Sequence, residues 1–259
     1  MSMMDDTARE IYARQISMKE IGEKGQQVLA GASVLVVGCG GLGTPVLNYL
    51  TAMGIGRLGL CDGDTVSLSN LNRQLLYTME DLGEPKATVA EKRLKALNPK
   101  LKTTIHPGRL NGAMALELLS AYDIAVDCLD NFPDRFVLND ACVATGKPFV
   151  HAGIGEFYGQ LLTVTPANGP CLRCLFPHGH PGHEPAPPPH IIGATAGVVG
   201  ALQALEVLKY LLSLPVNNKH LLLFDGLNMR LDKTKVSVSP DCVCHRSITP
   251  SSLRRRPHR

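Results

Sequence analysis

Apolar and polar positions along the chain predict short strands joined by helices. Ser33 to Val37 is a β-branched apolar run, followed by the glycine-rich segment GCGGLG and a helical pattern from Thr44 to Met53. Arg57 to Cys61 is a second short apolar run that ends at Asp62. Strand, glycine turn, helix and strand within about thirty residues are typical of the mononucleotide-binding half of a doubly wound sheet.

The alternation of elements continues beyond this unit. Residues 8–30 have a mixed helical pattern, and further helices and strands are predicted as follows: helices over 85–97, 114–119 and 132–145, and strands over 103–105, 124–128, 148–151 and 159–165. This order indicates an α/β fold with a doubly wound, mostly parallel, Rossmann-like sheet covered by helices. We expect one domain over residues 1–259, ending in an irregular C-terminal tail with a disordered basic segment over residues 246–259.

The longest apolar stretch, residues 191–214, carries polar side chains at near-helical spacing: Gln203, Glu206 and Lys209. It is therefore predicted to be a buried helix or a subunit interface, and not a membrane span. The N-terminus is charged and lacks an apolar signal region, which favours a cytoplasmic protein. The net charge is only +3, and the one dense basic run is at the C-terminus, so a nucleic-acid partner is not expected.

Eight cysteines divide into two groups. Four are scattered in apolar or helical contexts and are predicted to fill the core: Cys39, Cys61, Cys128 and Cys142. The others form two close pairs, CLRC and CVC, at Cys171, Cys174, Cys242 and Cys244. Four soft ligands of this kind predict a structural zinc site.

The second pair leaves the fourth zinc ligand open. Its CxC spacing is shorter than the usual CxxC, so either Cys244 reaches the metal or His245, three residues after Cys242, takes that place. The first pair begins a segment over residues 171–190 that is predicted to be a zinc knuckle followed by a proline- and histidine-rich crossover loop.

The glycine-rich segment fits GxGxxG with Gly38, Gly40 and Gly43, and Asp62 lies 24 residues after the first glycine. Glycines permit a tight turn near an anion, and the acid accepts hydrogen bonds from ribose hydroxyls, so a ribonucleotide is predicted. Arg73 and Lys86 follow the second strand and shift the prediction from a dinucleotide to a triphosphate.

Asp130 and Asn131 follow another predicted strand, where a carboxylate can hold Mg²⁺ together with phosphate oxygens. Each of these residues has an ordinary structural explanation when taken alone. Arg73 suits a surface ion pair, Lys86 suits a helix start, and Asp130 or Asn131 suits a helix N-cap. Together they form a coherent site for ATP and magnesium.

These segments resemble the E1-like activating enzymes of the sulfur-carrier type, the MoeB, ThiF and HesA group. The resemblance covers nearly the whole chain and rests on eight ordered blocks: YARQI, VGCGGLG, DGD, SNLNRQ, GEPKA, CLDNFPDR, CLRCLFP and GALQALEVLK. It implies that SNLNRQ grips ATP, that Lys86 holds the phosphates and that Asp130 coordinates Mg²⁺. It also implies a homodimer in which Arg14 is supplied by the neighbouring subunit.

The nucleotide site that follows from the motifs and the resemblance comprises the residues Gly38, Gly40, Gly41, Gly43, Asp62, Asp64, Ser69, Asn70, Leu71, Asn72, Arg73, Gln74, Lys86, Asp130 and Asn131. Four of its groups are expected to act in catalysis, namely Arg14, Arg73, Lys86 and Asp130. The resemblance implies adenylation of the Gly-Gly carboxylate of a small ubiquitin-like sulfur-carrier protein, with pyrophosphate released and a separate sulfur donor acting later.

One departure from the family bears on the chemistry. Members that continue to a covalent step carry a cysteine in the crossover loop, whereas this chain has no cysteine between Cys174 and Cys242 and has Ala186 near the expected place. An adenylate-only enzyme is therefore expected. Three alternatives stay open at this point: a small-molecule or tRNA substrate at the same site, an NAD-dependent oxidoreductase, and a non-catalytic scaffold.

Overall fold

One eight-stranded sheet runs through the part of the chain that the computed structural model describes, residues 5–167, 169–177 and 190–247. In chain order the strands are β1 (Ser33–Val37), β2 (Arg57–Asp62), β3 (Lys102–Pro107), β4 (Ile124–Asp127), β5 (Phe149–Gly155), β6 (Tyr158–Val164), β7 (His220–Asp225) and β8 (Arg230–Lys235). Their order across the sheet is β3-β2-β1-β4-β5-β6-β7-β8.

The first five strands are parallel, and the last three continue the sheet in antiparallel pairs. The helices are α1 (Asp6–Ile11), α2 (Ala13–Ile16), α3 (Gly22–Gly31), α4 (Gly43–Ala52), α5 (Lys86–Leu97), α6 (Gly112–Ser120), α7 (Phe132–Thr145), α8 (Leu172–Leu175), α9 (Gly193–Leu211) and α10 (Val243–Ser247). The predicted doubly wound, Rossmann-like fold is confirmed.

The core lies on both faces of the sheet. Helices α3, α4, α5 and α9 cover one face, and α6, α7, α8 and α10 cover the other. All five residues of β1 are buried, and alternate side chains of this strand enter the two core layers. The four scattered cysteines are buried in these layers, as the sequence predicts. Burial on both faces explains why β1 is a continuous apolar run.

The long apolar stretch is helix α9, and its polar side chains bind the sheet. Gln203 Nε2 donates to the carbonyl oxygens of Asp127 at 2.8 Å and Val150 at 3.1 Å. The Glu206 carboxylate accepts hydrogen bonds from Thr163 Oγ1 at 2.5 Å and from the backbone N–H of Asn217 at 2.7 Å. No helix within the described ranges has both the length and the apolar character that a membrane crossing requires.

Three local expectations differ from the structure. The helical pattern over residues 8–30 is divided into three helices, and the third begins at Gly22, whose φ is +58°. Strands β7 and β8 are absent from the sequence expectations; every residue of β8 is exposed and no apolar alternation marks it, whereas β7 carries an apolar run that those expectations do not assign. The predicted basic tail begins inside α10 at residues 246 and 247, while its remainder and loop residues 178–189 lie outside the described ranges.

Candidate functional site

The turn between β1 and α4 is shaped by glycines that cannot carry a side chain. Gly38 has a φ of +97°, and a Cβ there would lie 2.5 Å from the carbonyl oxygen of Cys128. A Cβ on Gly43 would lie 2.0 Å from the carbonyl oxygen of Gly38. The chain therefore turns directly from β1 into α4, and backbone N–H groups at the start of α4 are available to an anion at the carboxyl edge of the sheet.

Asp62 is held at the end of β2 by two backbone contacts. Its carboxylate accepts hydrogen bonds from the N–H of Cys39 at 2.6 Å and from the N–H of Asp64 at 2.8 Å. Burial raises the pKa of the Asp62 carboxyl above its ordinary value, and the two N–H groups act in the opposite direction. The acid is thus fixed beside the glycine turn, where a ribose hydroxyl can reach it.

The segment from Ser69 to Gln74 packs over the glycine turn. A Cβ on Gly41 would lie 3.7 Å from the Arg73 side chain, and a Cβ on Gly40 would lie 3.5 Å from Gln74 Nε2. Helix α9 begins against the same segment, since a Cβ on Gly193 would lie 2.6 Å from a carbonyl oxygen in it. The structure therefore brings together two motifs that are about thirty residues apart in the sequence.

Hydrogen bonds within this segment orient its polar groups. Asn70 is buried, and its side-chain oxygen accepts from the N–H of Ser67 at 3.2 Å. Arg73 Nη1 donates to the carbonyl oxygen of Ser69 at 2.7 Å and to the side-chain oxygen of Asn72 at 3.0 Å. Leu71 is half-buried and packs against the core. The guanidinium of Arg73 is thereby held close to the turn.

Two buried oxygens beside the glycine turn lack a hydrogen-bond partner among the described residues. They are Oε1 of Gln74 and Oγ1 of Thr44, the second residue of α4. Buried polar atoms are nearly always paired in folded proteins, and an unpaired one calls for an explanation. A polar ligand at this edge of the sheet supplies one.

Lys86 stands at the start of α5 and faces the same edge. Its side chain is only 7% exposed, and its Nζ lies 2.7 Å from Oδ2 of Asp64, whose side chain is 73% exposed. The ammonium group is therefore buried and paired with a carboxylate that reaches solvent. An incoming phosphate can replace that carboxylate as the partner of Lys86.

Asp130 and Asn131 follow β4 at the carboxyl edge, as the sequence predicts. Asn131 is the N-cap of α7, and its side-chain oxygen accepts from the N–H of Asp134 at 2.9 Å. Its amide nitrogen donates to Asp130 Oδ1 at 3.2 Å and to Asp134 Oδ2 at 3.0 Å. Asn131 therefore has the helix N-cap role that the sequence offers as an alternative. The Asp130 side chain stays exposed and suits a hard cation such as Mg²⁺.

Arg109 is a cation of this edge that the sequence expectations lack. It follows β3, and its Nε lies 2.7 Å from Oδ2 of Asp134. The hydrogen bond to Asp134 raises the pKa of Arg109, and the charges of Asp134, Asp130 and Asp64 act in the same direction. Its position just after a strand could have identified it, because ligands bind at the carboxyl ends of parallel strands.

An open cavity of about 510 Å³ adjoins Arg73. It lies between the Ser69–Gln74 segment and the turn that joins β5 to β6, and its lining includes Asn72, Arg73, Glu156, Phe157 and Ile192. The cavity is open to the surface, and Arg73 forms part of its wall. An extended peptide can therefore approach Arg73 from this direction.

Arg14 does not join this group within one chain. It is exposed on α2, and its neighbour Gln15 donates to the carbonyl oxygen of Met53, the C-cap of α4. Helix α4 has ten residues, so its C-terminal end is about 15 Å from the glycine turn at its start. The short helix with Arg14 is therefore attached to the far end of α4.

The paired cysteines meet on the face of the sheet covered by α7. Ligand atoms of Cys171, Cys174, Cys242 and His245 all lie within 4.8 Å of one another. The Cys171 sulfur is 3.9 Å from that of Cys174 and 3.5 Å from that of Cys242. Tetrahedral zinc with Zn–S bonds of 2.3 Å requires sulfur atoms about 3.8 Å apart, so the donor set fits zinc.

The set of mutually close ligand atoms includes His245, while the Cys244 thiol lies within hydrogen-bond reach of Cys171 at its border. Cys242 immediately precedes α10 and His245 lies three positions later, so the two side chains face the same side. The buried Cys244 thiol instead donates to Asp140 Oδ1 at 3.3 Å and accepts from Asn139 Nδ2 at 3.4 Å. This geometry favours His245 over Cys244 as the fourth ligand, because adjacent helical residues face different directions, and the identity of that ligand stays a prediction.

Comparisons with known proteins identify a family and several related sequences. Residues 12–244 match the model of the ThiF family. A sulfur carrier protein adenylyltransferase of Thermus thermophilus is 48% identical, and the match covers 93% of each chain. The SAMP-activating enzyme E1 of Haloferax volcanii is 40% identical over 93% of this chain and 90% of its own. Adenylyltransferase and sulfurtransferase MOCS3 of Mus musculus is 42% identical, and this chain spans 54% of its length.

Solved structures show the same architecture at low identity. The crystal structure of E. coli MccB with MccA-N7isoASN has a TM-score of 0.82 and is 23% identical, with 91% of this chain and 74% of that one covered. A crystal structure of MccB with ATP has a TM-score of 0.79 over 92% of this chain and 74% of that one, also at 23% identity. At this identity the likeness concerns the fold alone.

Proposed function

The chain belongs to the ThiF family, and from this premise we propose that it adenylates the C-terminal Gly-Gly carboxylate of a small ubiquitin-like sulfur-carrier protein. The observation that carries the proposal is the convergence at one sheet edge of the glycine turn, Asp62, Arg73, Lys86 and Asp130. Such a set combines a ribose acid, phosphate-neutralising cations and a magnesium carboxylate.

In the proposed reaction, a carboxylate oxygen of the carrier attacks the α-phosphorus of ATP. The bond from that phosphorus to the oxygen bridging it to the β-phosphorus breaks, and pyrophosphate leaves with this oxygen, so an acyl adenylate remains. The enzyme supplies no nucleophile. Asp62 positions the ribose, while Arg73 and Lys86 neutralise charge that shifts onto the leaving pyrophosphate. Mg²⁺ bound at Asp130 would screen the phosphate oxygens.

Lys86 has a further consequence for nucleotide binding. In the free protein it is paired with Asp64, so phosphate binding requires that the Lys86 ammonium exchange one anionic partner for another. The released Asp64 carboxylate is largely exposed and can be solvated. Because the buried ammonium keeps an anionic partner throughout, the exchange avoids an unpaired buried charge.

The carrier protein is proposed to dock at the hairpin tips beside the cavity. The turn from β5 to β6 exposes Phe157, and the turn from β7 to β8 exposes Leu227 and Met229; these three residues form the hairpin patch. Both turns lie at the site edge of the sheet, since β7 runs parallel to β5. Strand β8 lies beyond the patch and is exposed along its length, with three basic residues and one acidic residue. An acidic globular partner with an apolar surface and an extended tail fits this arrangement.

We propose that the reaction ends at the adenylate, because no cysteine lies between Cys174 and Cys242 to form a covalent carrier adduct. A separate protein would then donate sulfur. All eight cysteines are free thiols in the structure, which suits the reducing conditions of a cytoplasm. Zinc held by Cys171, Cys174, Cys242 and His245 would be structural, joining α8 and α10 on the surface of α7.

The proposed function is tested by ATP–pyrophosphate exchange with Mg²⁺ and a panel of carrier proteins that end in Gly-Gly. We expect label from pyrophosphate to enter ATP only when a matching carrier is present, because the adenylate must form before it can reverse. A carrier whose last glycine is deleted serves as the matched control and should give no exchange. Folded protein that binds NAD instead of ATP would contradict the proposal and restore the oxidoreductase alternative.

A homodimer with shared sites is proposed from the position of Arg14. Within one chain Arg14 lies at the far end of α4, and we propose that the copy from a second subunit approaches the phosphates instead. Three apolar side chains stay exposed on α4 and α9 and offer a contact surface: Tyr49, Val198 and Leu205. Residues 198 and 205 are seven positions apart and so lie on the same face of α9.

Mixed dimers test this shared site. Arg14→Ala and Asp130→Ala homodimers should both be inactive, whereas a random mixture of the two subunits should recover about a quarter of the wild-type sites, because half the dimers then have one complete site of two. The measurement is pyrophosphate exchange after the two chains are mixed and allowed to re-associate. Recovery that stays at background, in mixtures where heterodimers are demonstrated, would show that Arg14 acts within its own chain.

A further inference from the structure

A buried polar group lies directly behind the loop that carries Asp130. It consists of Asp127 at the end of β4, Arg135 on α7 and His151 on β5, and we name these three residues the strand-end cluster. Asp127 and His151 are fully buried, and Arg135 is 6% exposed. Burial of an ionisable group costs desolvation free energy unless the group is paired. The presence of three such groups behind the loop with Asp130 therefore suggests that they have a function.

The strand-end cluster holds both backbone polar groups of Leu129, the residue before Asp130. Asp127 Oδ1 accepts from the N–H of Leu129 at 3.1 Å. Arg135 donates to the carbonyl oxygen of Leu129 from Nη2 at 2.6 Å and from Nε at 3.2 Å. The peptide units on either side of Leu129 are therefore clamped, and the direction in which Asp130 leaves β4 is set by them.

His151 completes the cluster from the neighbouring strand. Its Nδ1 lies 2.7 Å from Asp127 Oδ2, and its Nε2 lies 3.4 Å from Nε2 of Gln160. Burial lowers the pKa of His151, although Asp127 acts in the opposite direction. A neutral ring that donates from Nδ1 to Asp127 and accepts at Nε2 from the Gln160 amide satisfies every contact.

The charges of the cluster balance with that neutral ring. Arg135 Nε is 3.9 Å from Asp127 Oδ2, so one cation faces one anion. Gly153 leaves the room for this arrangement, because a Cβ there would lie 3.2 Å from Arg135 Nη1 and 3.1 Å from Gln160 Nε2. Helix α9 closes the cluster through the bond from Gln203 Nε2 to the carbonyl oxygen of Asp127.

We propose that the strand-end cluster is a positioning unit for Asp130, in which His151 keeps the Asp127 carboxylate turned toward Leu129. This inference rests on the proposed role of Asp130 as a ligand of the metal bound to ATP. If the His151 N–H is lost, the buried Asp127 carboxylate loses one of its hydrogen-bond donors. The carboxylate then turns toward other donors, and the clamp on Leu129 loosens. Partners of this kind behind a metal ligand typically change metal affinity by about 10- to 100-fold.

The test measures metal binding without turnover. Mn²⁺ is titrated into protein saturated with α,β-methylene-ATP, and free Mn²⁺ is followed by electron paramagnetic resonance. We expect His151→Leu to weaken Mn²⁺ binding at least about tenfold, while nucleotide binding without metal stays within about twofold of wild type. His151→Asn should restore wild-type binding, since the Asn amide nitrogen can occupy the place of Nδ1 and donate to Asp127.

Matched variants separate positioning from general destabilisation. Thr163→Val removes another fully buried side-chain hydrogen bond, on β6, but leaves Leu129 untouched, so it should lower the melting temperature and spare Mn²⁺ affinity. If His151→Leu does not fold, Arg135→Lys tests the same clamp, because it keeps the charge and loses the paired contact with Leu129. Equal Mn²⁺ affinity in wild type and in the folded clamp variants would overturn the inference. Wild-type protein that binds the nucleotide but no Mn²⁺ would instead refute the proposed role of Asp130.

Discussion

Asp130→Asn is expected to reduce carrier-dependent pyrophosphate exchange by about 10³-fold, which corresponds to about 4 kcal/mol of lost transition-state stabilisation. The substitution preserves the size of the side chain and an oxygen for the hydrogen bond from Asn131 Nδ2, so the N-cap of α7 should persist. What it removes is the negative charge that a hard divalent cation requires. The melting temperature should therefore change little while the rate falls.

The measurement is the exchange rate at saturating ATP over a range of Mg²⁺ concentrations. Glu117→Gln is the matched control, because Glu117 is an exposed carboxylate in the second half of α6, which runs away from the carboxyl edge of the sheet. This control should retain the wild-type rate. An Asp130→Asn enzyme within about threefold of wild type at every Mg²⁺ concentration would show that another group holds the metal.

Loss of His245, a proposed zinc ligand, is expected to have the largest effect on stability. With zinc at about 1,000 times its dissociation constant, binding stabilises the folded chain by about 4 kcal/mol, or roughly 8–16 °C in melting temperature for a protein of this size. His245→Ala should lose most of this stabilisation, because three thiolates leave one position of the tetrahedron open. Zinc content and the melting temperature are measured on protein purified without chelator.

Cys244→Ser is the matched comparison for this prediction. The serine hydroxyl can still donate to Asp140, so this variant should retain about one zinc per chain and nearly the wild-type melting temperature. The reverse result, with zinc lost in Cys244→Ser and kept in His245→Ala, would assign the fourth position to Cys244. Wild-type protein that purifies without zinc and does not gain stability when zinc is added would remove the zinc proposal altogether.

Arg173 contributes to the same region without being a metal ligand. Its guanidinium donates to both oxygens of Asp140 at 2.6 and 2.7 Å and lies over the ring of Phe136 at 4.5 Å from the centroid. Asp140 in turn accepts a hydrogen bond from the Cys244 thiol. Cys244, which the CxC spacing offers as a ligand, thus takes part in a hydrogen-bond network that connects α7, α8 and α10.

The local pattern of the sequence was sufficient for the parallel half of the sheet and for the motifs at its edge. The strand Ser33–Val37, the helix Phe132–Thr145 and the glycine turn are found where apolar runs and glycine spacing predict them. Such features depend on interactions within a few residues, so the local sequence is enough to predict them. The exposed strand β8 has no comparable signal, because its place in the sheet comes from pairing with β7.

The sequence by itself determined the nucleotide-binding half of the sheet, the ordered polar residues along its carboxyl edge and the two close cysteine pairs that are candidate metal ligands. The tertiary structure alone decided that His245 joins the three cysteines, that Arg14 lies far from the glycine turn of its own chain, and that Arg109 faces Asp134. It also decided that His151 and Arg135 reach Asp127 across neighbouring elements. The physical reason is that side-chain direction and burial depend on contacts between segments distant in the chain, which residue spacing does not specify.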